Sequence, residues 1–429
     1  MVIKRTITGI FLYFAVVCML PAQINELYAG QGDDLTVKIA IVGPGDELYF
    51  WWGHIALVID NAQTGQSRFY DYGLFSLLNT DFFVNFAFGR LYFSTGVSPS
   101  EYNIAVYQQT NRSVTFYTLD ILPERRERIR QIAEFDILPE NRDYLYHHFN
   151  NNCSLPPIVE LIDIATDGQF WEQFGNEPGR FVLRQHVRRH TWFSPFIDWF
   201  LNFLMGQNID TPITVWEEMF LPSEVEMNIR DFQYTEPDGI TRPLVSNVEV
   251  LNEAQNRPSV LEVPRKQWPR QLVFSLFVAA ILGCFFYMQS RFPARGQVAL
   301  GICHSLFGLV FGIAGLLLFF MSNFTEHDYT FNNANILFCN PLVLAAFPLG
   351  IRYAVSGTYD KRLRTEVMLR LLWLLVTLGI FASMLIKLHP QFWQDNLTDQ
   401  MLMLPIALVL SLEPAGLKRL LQRIFWRWL

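Results

Sequence analysis

The polar part of this sequence is nearly devoid of cysteine. Of the five cysteines among 429 residues, Cys18 lies in an apolar N-terminal leader, and Cys284, Cys303 and Cys339 lie in long apolar runs near the C-terminus. Cys153 is therefore the only thiol in the polar part, which excludes an internal disulfide framework there. It leaves an inert thiol, a bridge between chains, or a reactive sulfur. Metal-type spacing is also missing: His147 and His148 are adjacent, so on a strand they point to opposite faces, and no Cys or His stands at zinc-like distance from them. Glycine-rich phosphate loops are absent, and a net charge of −7 without a basic tract argues against nucleic acid. The sequence gives no reason to expect a metal or cofactor.

What is present divides into an exported part and a membrane part. Residues 1–29 have the form of a secretory signal or N-terminal anchor, with Lys4 and Arg5 before an apolar run that is short for a spanning helix. Residues 30–265 mix polar, apolar and aromatic residues over a length suited to one sizeable domain. From 271 to 412 apolar runs dominate, near 272–288, 298–321, 336–355, 367–388 and 401–412; the last is short for a full crossing. Five crossings place Arg291 and Arg295, then Lys361, Arg362 and Arg364, then the basic tail 413–429 on one side. The alternate loops, 322–335 and 389–400, contain no Lys or Arg, so the positive-inside rule puts residues 30–265 outside the cytoplasm, in agreement with the leader.

Within the exported part, residues 36–42 alternate as a strand, and residues 55–59 and 68–72 are two further β-type runs joined by a turn-rich loop, 60–65. A hairpin centred on that loop pairs His54 near Gly73 and Ala56 near Asp71. His54 and Asp71 then become diagonal neighbours on one face, the geometry a histidine needs from an orienting carboxylate. Asp60 is the alternative orienter. Cys153 closes the run Asn150-Asn151-Asn152-Cys153 and precedes a helical pattern of Leu155, Ile158, Val159, Ile162 and Ala165, with Pro156 and Pro157 in the first turn and Gly168 as a stop. At a helix N-terminus the free N–H groups and the dipole would favour a nucleophilic thiolate. Most free cysteines are small buried hydrophobes, and the Asn run and the candidate histidine are what set Cys153 apart.

Elsewhere, residues 104–108 and 113–119 read as a second hairpin around Thr110-Asn111. Residues 123–137 read as a helix whose arginines, interleaved with Glu124, Glu127 and Glu134, form a solvated face. Phe82, Phe83, Phe86 and Phe88 read as core or as a surface that meets lipid. His186, Arg188, Arg189 and His190 form a basic cluster before an aromatic stretch, 192–205, suited to a membrane interface.

The run Tyr49-Phe50-Trp51-Trp52-Gly53-His54-Ile55-Ala56-Leu57, then Tyr70-Asp71-Tyr72-Gly73, then Asn151-Asn152-Cys153-Ser154, resembles the periplasmic domain of the Lnb-type lipoprotein N-acyltransferases. The similarity extends over about 38–168 and resumes at Glu326-His327 and residues 332–341. In one departure, relatives carry Thr and Arg soon after the cysteine, where this chain has Leu155, Pro156 and Pro157. The resemblance implies an α+β class: a circularly permuted papain-like cysteine-hydrolase domain, its histidine strand preceding its cysteine helix, followed by an all-α transmembrane bundle of about five helices.

It implies an acyltransferase of the bacterial inner membrane with its catalytic domain on the periplasmic face. Cys153 would be the nucleophile, His54 the base and Asp71 its orienter, with Asn152 or Ser154 supporting an oxyanion and His327 a possible substrate contact. The donor would be a membrane lipid ester, either a separate phospholipid or a chain already on the acceptor, and the acceptor the α-amino group of a lipid-modified lipoprotein N-terminus. A tethered cysteine peptidase or amidase acting on cell-wall peptides shares the first half of that chemistry. A non-catalytic anchored binding module is the reading from a different class.

Overall fold

The computed structural model describes residues 32–75 and 81–412, so the expected leader, 1–29, and the basic tail, 413–429, lie outside the described residues. The strands are β1 (Leu35–Val42), β2 (His54–Asn61), β3 (Gln66–Leu74), β4 (Leu91–Pro99), β5 (Val114–Leu119), β6 (Asp143–Tyr146), β7 (Gln233–Thr235), β8 (Thr241–Pro243) and β9 (Val245–Asn252). The helices up to the membrane part are α1 (Phe82–Phe88), α2 (Ser100–Gln109), α3 (Pro123–Asp136), α4 (Pro157–Ala165), α5 (Gln169–Phe174), α6 (Leu183–Thr191), α7 (Pro195–Leu204), α8 (Val215–Glu218) and α9 (Pro222–Arg230). The apolar part contributes α10 (Trp268–Arg291), α11 (Pro293–Phe324), α12 (Ala346–Val355), α13 (Tyr359–Ile386) and α14 (Leu397–Ser411). The class is α+β.

Two compact units divide these elements. One takes the described residues up to Phe82 with Leu91–Arg180 and Ile213–Arg257; the other takes Phe83–Arg90, Phe181–Pro212 and the described residues from Pro258 onward. Two excursions of the polar part, almost all of α1 and the α6–α7 pair, thus pack with the apolar helices.

The first unit is built on a seven-stranded antiparallel sheet of order β6-β4-β3-β2-β1-β5-β9. β2 is central, and its run Ile55 to Ile59 is buried throughout, as a strand covered on both faces must be. Ala40, Val42, Ala56, Val58 and Phe69 form one core cluster with Tyr107 of α2. On the other face Tyr70 and Tyr72 reach Glu134 and Asp136 of α3. Residues 104–108 belong to α2, not to the strand expected there, because Ile104 and Tyr107 present one helical face to that core cluster. The arginines of α3 are partly structural: Arg125 donates to the Ala165 carbonyl, and Arg126 to those of Ile121 and Leu35.

Among the described residues of the second unit, four helical segments are long and apolar enough to cross a membrane: Trp268–Arg291, Pro293–Phe324, Ala334–Val355 and Tyr359–Ile386. The fifth apolar run forms the 15-residue α14, with Pro405 inside it, so among the described residues it is short for a full crossing, as its sequence suggests. The third segment begins as two 3₁₀ turns before α12. Close packing uses small residues: a Cβ on Gly312 of α11 would stand 2.5 Å from Leu344 Cα. Trp373, Leu369, Leu282, Phe338 and Ile380 are buried at the centre. A buried polar layer joins α7 to the start of the third segment and to the first turn of α14. Asp399 accepts from Asn335 Nδ2 at 3.0 Å and from Trp199 Nε1 at 2.9 Å, and Asn333 Nδ2 donates to the Phe203 and Leu204 carbonyls.

Candidate active site

The site grows from the β2–β3 hairpin. Ala56 pairs with Asp71, so His54, at the first position of β2, and Asp71 share one face as diagonal neighbours. His54 Nε2 lies 3.1 Å from Asp71 Oδ1, and each side chain is 13 % exposed. Two glycines make this possible. Gly53 takes a φ of +78° to turn the chain into β2, and a Cβ there would strike the Val42 carbonyl at 2.8 Å. Gly73 is required by proximity: a Cβ on it would lie 3.0 Å from His54 Cε1, 3.4 Å from Asp71 Oδ1 and 3.5 Å from Cys153 Cβ. One missing methyl group therefore marks the meeting point of all three side chains. The Gly73 N–H also donates to Asp71 Oδ1 at 2.8 Å, fixing the carboxylate.

Cys153 is partly exposed and sits in a bend braced by its neighbours. Asn152 is buried and saturated: its Nδ2 donates to the carbonyls of His148 and Phe220, both at 2.9 Å, and its Oδ1 accepts from the N–H groups of Ser154 and Leu155. Ser154, also buried, donates its hydroxyl to the Met219 carbonyl. Both side chains thus hold the bend that presents Cys153. The regular helix α4 begins at Pro157, but its first bonds reach back to Ser154, whose carbonyl accepts from the N–H groups of Ile158 and Val159, both at 3.1 Å. Cys153 therefore stands immediately before the residue at which the helical turn starts. Among the described residues, none accepts a hydrogen bond from the Cys153 backbone N–H.

Two family profiles match the chain, the Lnb N-terminal periplasmic domain over residues 28–185 and the Lnb transmembrane domain over residues 265–410. The chain belongs to the Lnb family. No curated protein and no solved structure matches it. The Lnb periplasmic match contains His54, Asp71 and Cys153, and the architecture is that of the Lnb-type lipoprotein N-acyltransferases, a membrane protein with a periplasmic region.

The electrostatics of this Lnb site favour a charged imidazole. Burial works against the His54 cation, but Asp71 and then the charge on Cys153 outweigh it and raise His54 well above its usual range. Burial pushes Asp71 the other way from its neighbours, yet His54, the Gly73 N–H and Arg112 together hold its carboxyl below the ordinary value. Asp60, the alternative orienter, is engaged elsewhere. It pairs across the strand with Ser67 and lies 2.7 Å from Lys38 Nζ.

Three further residues belong to the site and carry no signal in the sequence. Arg112 is buried between the rings of Phe50, at 4.4 Å, and Tyr107, at 5.1 Å; its Nε donates to the Gly43 carbonyl and its Nη2 has no hydrogen-bond partner. Tyr107 is raised by burial, with the charges of His54, Asp71, Arg112 and Cys153 acting on it. Tyr144 donates its hydroxyl to the Tyr72 carbonyl, and burial followed by the charge on Cys153 raises it. Tyr107 and Arg112 come from α2 and the turn after it and Tyr144 from β6, and only the fold brings these stretches to Cys153.

His327 belongs to the second unit, and both of its ring nitrogens are engaged: Nε2 with the Phe86 carbonyl at 2.9 Å and Nδ1 with the Tyr329 hydroxyl at 2.7 Å. The residue is 4 % exposed, and these bonds make it a structural tie within that unit. Among the described residues no group of His, Cys, Asp or Glu is placed to hold a metal ion.

Proposed function

We propose that this Lnb-family chain is a lipoprotein N-acyltransferase of the bacterial inner membrane, working through a thioester on Cys153. The observation that carries the reading is the convergence of a carboxylate-oriented imidazole and a partly exposed sulfur around Gly73. The order of His54, Asp71 and Cys153 along the chain fits a circularly permuted papain-like domain, and residues 30–265 form the extracytoplasmic part.

In the first half-reaction the Cys153 thiolate attacks the ester carbonyl of a phospholipid. The carbon–sulfur bond forms, the ester carbon–oxygen bond breaks, and the lysolipid alkoxide takes the His54 proton. In the second, the α-amino group of a lipidated N-terminal cysteine attacks the thioester. A carbon–nitrogen bond forms, sulfur leaves as the thiolate, and His54 receives the amine proton. Asp71 orients the imidazole and stabilises its charged form throughout. The oxyanion donor is assigned to the Cys153 N–H, with the Arg112 charge nearby favouring developing negative charge.

Membrane anchorage serves this chemistry because both substrates are lipid-borne, and confinement to a surface raises their effective concentration at the site. The test is transfer itself. The full chain in phospholipid nanodiscs, given a synthetic diacylated lipopeptide with a free α-amine, should add one acyl mass to the peptide as an amide, and Cys153→Ser should add none. Peptide cleavage without acylation would replace the reading with a hydrolase.

A further inference from the structure

α1 is an apolar helix with none of its seven residues buried, reading Phe-Phe-Val-Asn-Phe-Ala-Phe without a charge. Phe83 is 65 % exposed, Val84 58 % and Phe86 47 %. In water this would be a costly surface. From Phe83 onward the segment is part of the second unit, where it is fixed to the end of a crossing helix. Glu326 and His327, just beyond the end of α11, hold it from both sides: the Glu326 N–H donates to the Phe88 carbonyl at 2.8 Å, and the His327 ring meets the Phe86 carbonyl. The Phe88 ring packs edge-on against Phe320 of α11 at 5.9 Å, and Arg90 pairs with Glu326 at 2.9 Å.

The outward surface of α11 continues along the same end through Leu316, Phe319 and Phe324, all exposed within the apolar unit. A short uncharged aromatic helix tied there, with an ion pair at its polar end, has the make-up of an in-plane interfacial helix. We infer that α1 lies in the extracytoplasmic membrane surface, with Phe83, Val84 and Phe86 among the acyl chains of the bilayer. This makes α1 a second lipid contact beside the crossing helices, one inserted between the strand of Asp71 and β4. It goes beyond acyl transfer and does not depend on it.

The test is photo-crosslinking in the full chain, with p-benzoylphenylalanine placed singly at Phe83, at Leu316 on the lipid face of α11, or at Tyr102 on the exposed side of α2. Each variant is reconstituted in nanodiscs of phosphatidylethanolamine and phosphatidylglycerol, irradiated and weighed intact. Phe83 should give a phospholipid adduct in yield comparable with Leu316 and about tenfold above Tyr102. Background yield at Phe83 beside a clear adduct at Leu316 would overturn the inference, as would a protein adduct at Phe83. Because the readout is lipid mass and not turnover, an inactive chain that still gave the adduct would sink the transferase reading and leave this one standing.

Discussion

His54 Nε2 and Asp71 Oδ1 stand 3.1 Å apart because the β2–β3 register sets Asp71 opposite Ala56, one diagonal step from the histidine. The ring is thereby turned so that its Cε1 edge faces Gly73 and, beyond it, Cys153.

Gly73→Ala should separate chemistry from folding. The added methyl would sit 3.0 Å from His54 Cε1, tighter than ordinary contact, so the ring must shift. A displacement of this kind is expected to cost about 10²-fold in kcat/KM, while the melting transition in detergent moves little. Unaltered kcat/KM would show that the imidazole does not act where the structure holds it.

Asp71→Asn should weaken stability in a pH-dependent way. His54 is raised in the folded protein above its unfolded value of 6.5, so its contribution is complete below that pH and is lost as pH rises through the folded value. Asp71 is depressed, so its own contribution holds above the unfolded carboxylate range and fades only in strong acid. The deficit in melting temperature relative to wild type should therefore be largest near pH 5–6 and shrink on the alkaline side. A deficit constant from acid to alkaline pH would contradict the charged pair.

Asn152→Ala should fail by a different route. Four hydrogen bonds to one buried amide are lost, two to the His148 and Phe220 carbonyls and two from the Ser154 and Leu155 N–H groups. The expected cost is about 3 kcal/mol or more, read as a lowered melting midpoint that activity follows. A variant of normal stability lacking turnover would restore Asn152 to the chemistry.

His327→Ala should lower the melting temperature by removing the ties to Phe86 and Tyr329, and should leave the pH profile of turnover unchanged. A shifted profile would place His327 among the titrating groups of the reaction.

The hairpin register was readable in the sequence because a turn-rich loop lies between two alternating runs, and a period of two leaves Asp71 only one face to occupy once Ala56 opposes it. The apolar crossings were readable from length alone. Residues 104–108 were misread because five mixed residues suit either period, and the burial of Tyr107 decides for the helix. Arg112, Tyr107 and Tyr144 had no local signature, since their roles arise from contacts across the sheet. The partition of the chain was hidden for the same reason: residues 83–90 and 181–212 have compositions that suit either unit, and their membership is decided by bonds such as Trp199 to Asp399.

The most direct measurement is the intact mass of the full chain after incubation with phospholipid in the absence of an acceptor. The account predicts one added acyl group, mapped to Cys153, released by hydroxylamine and absent in His54→Ala. No adduct on Cys153 in protein that does acylate a lipopeptide, or an adduct that hydroxylamine leaves in place, would contradict it.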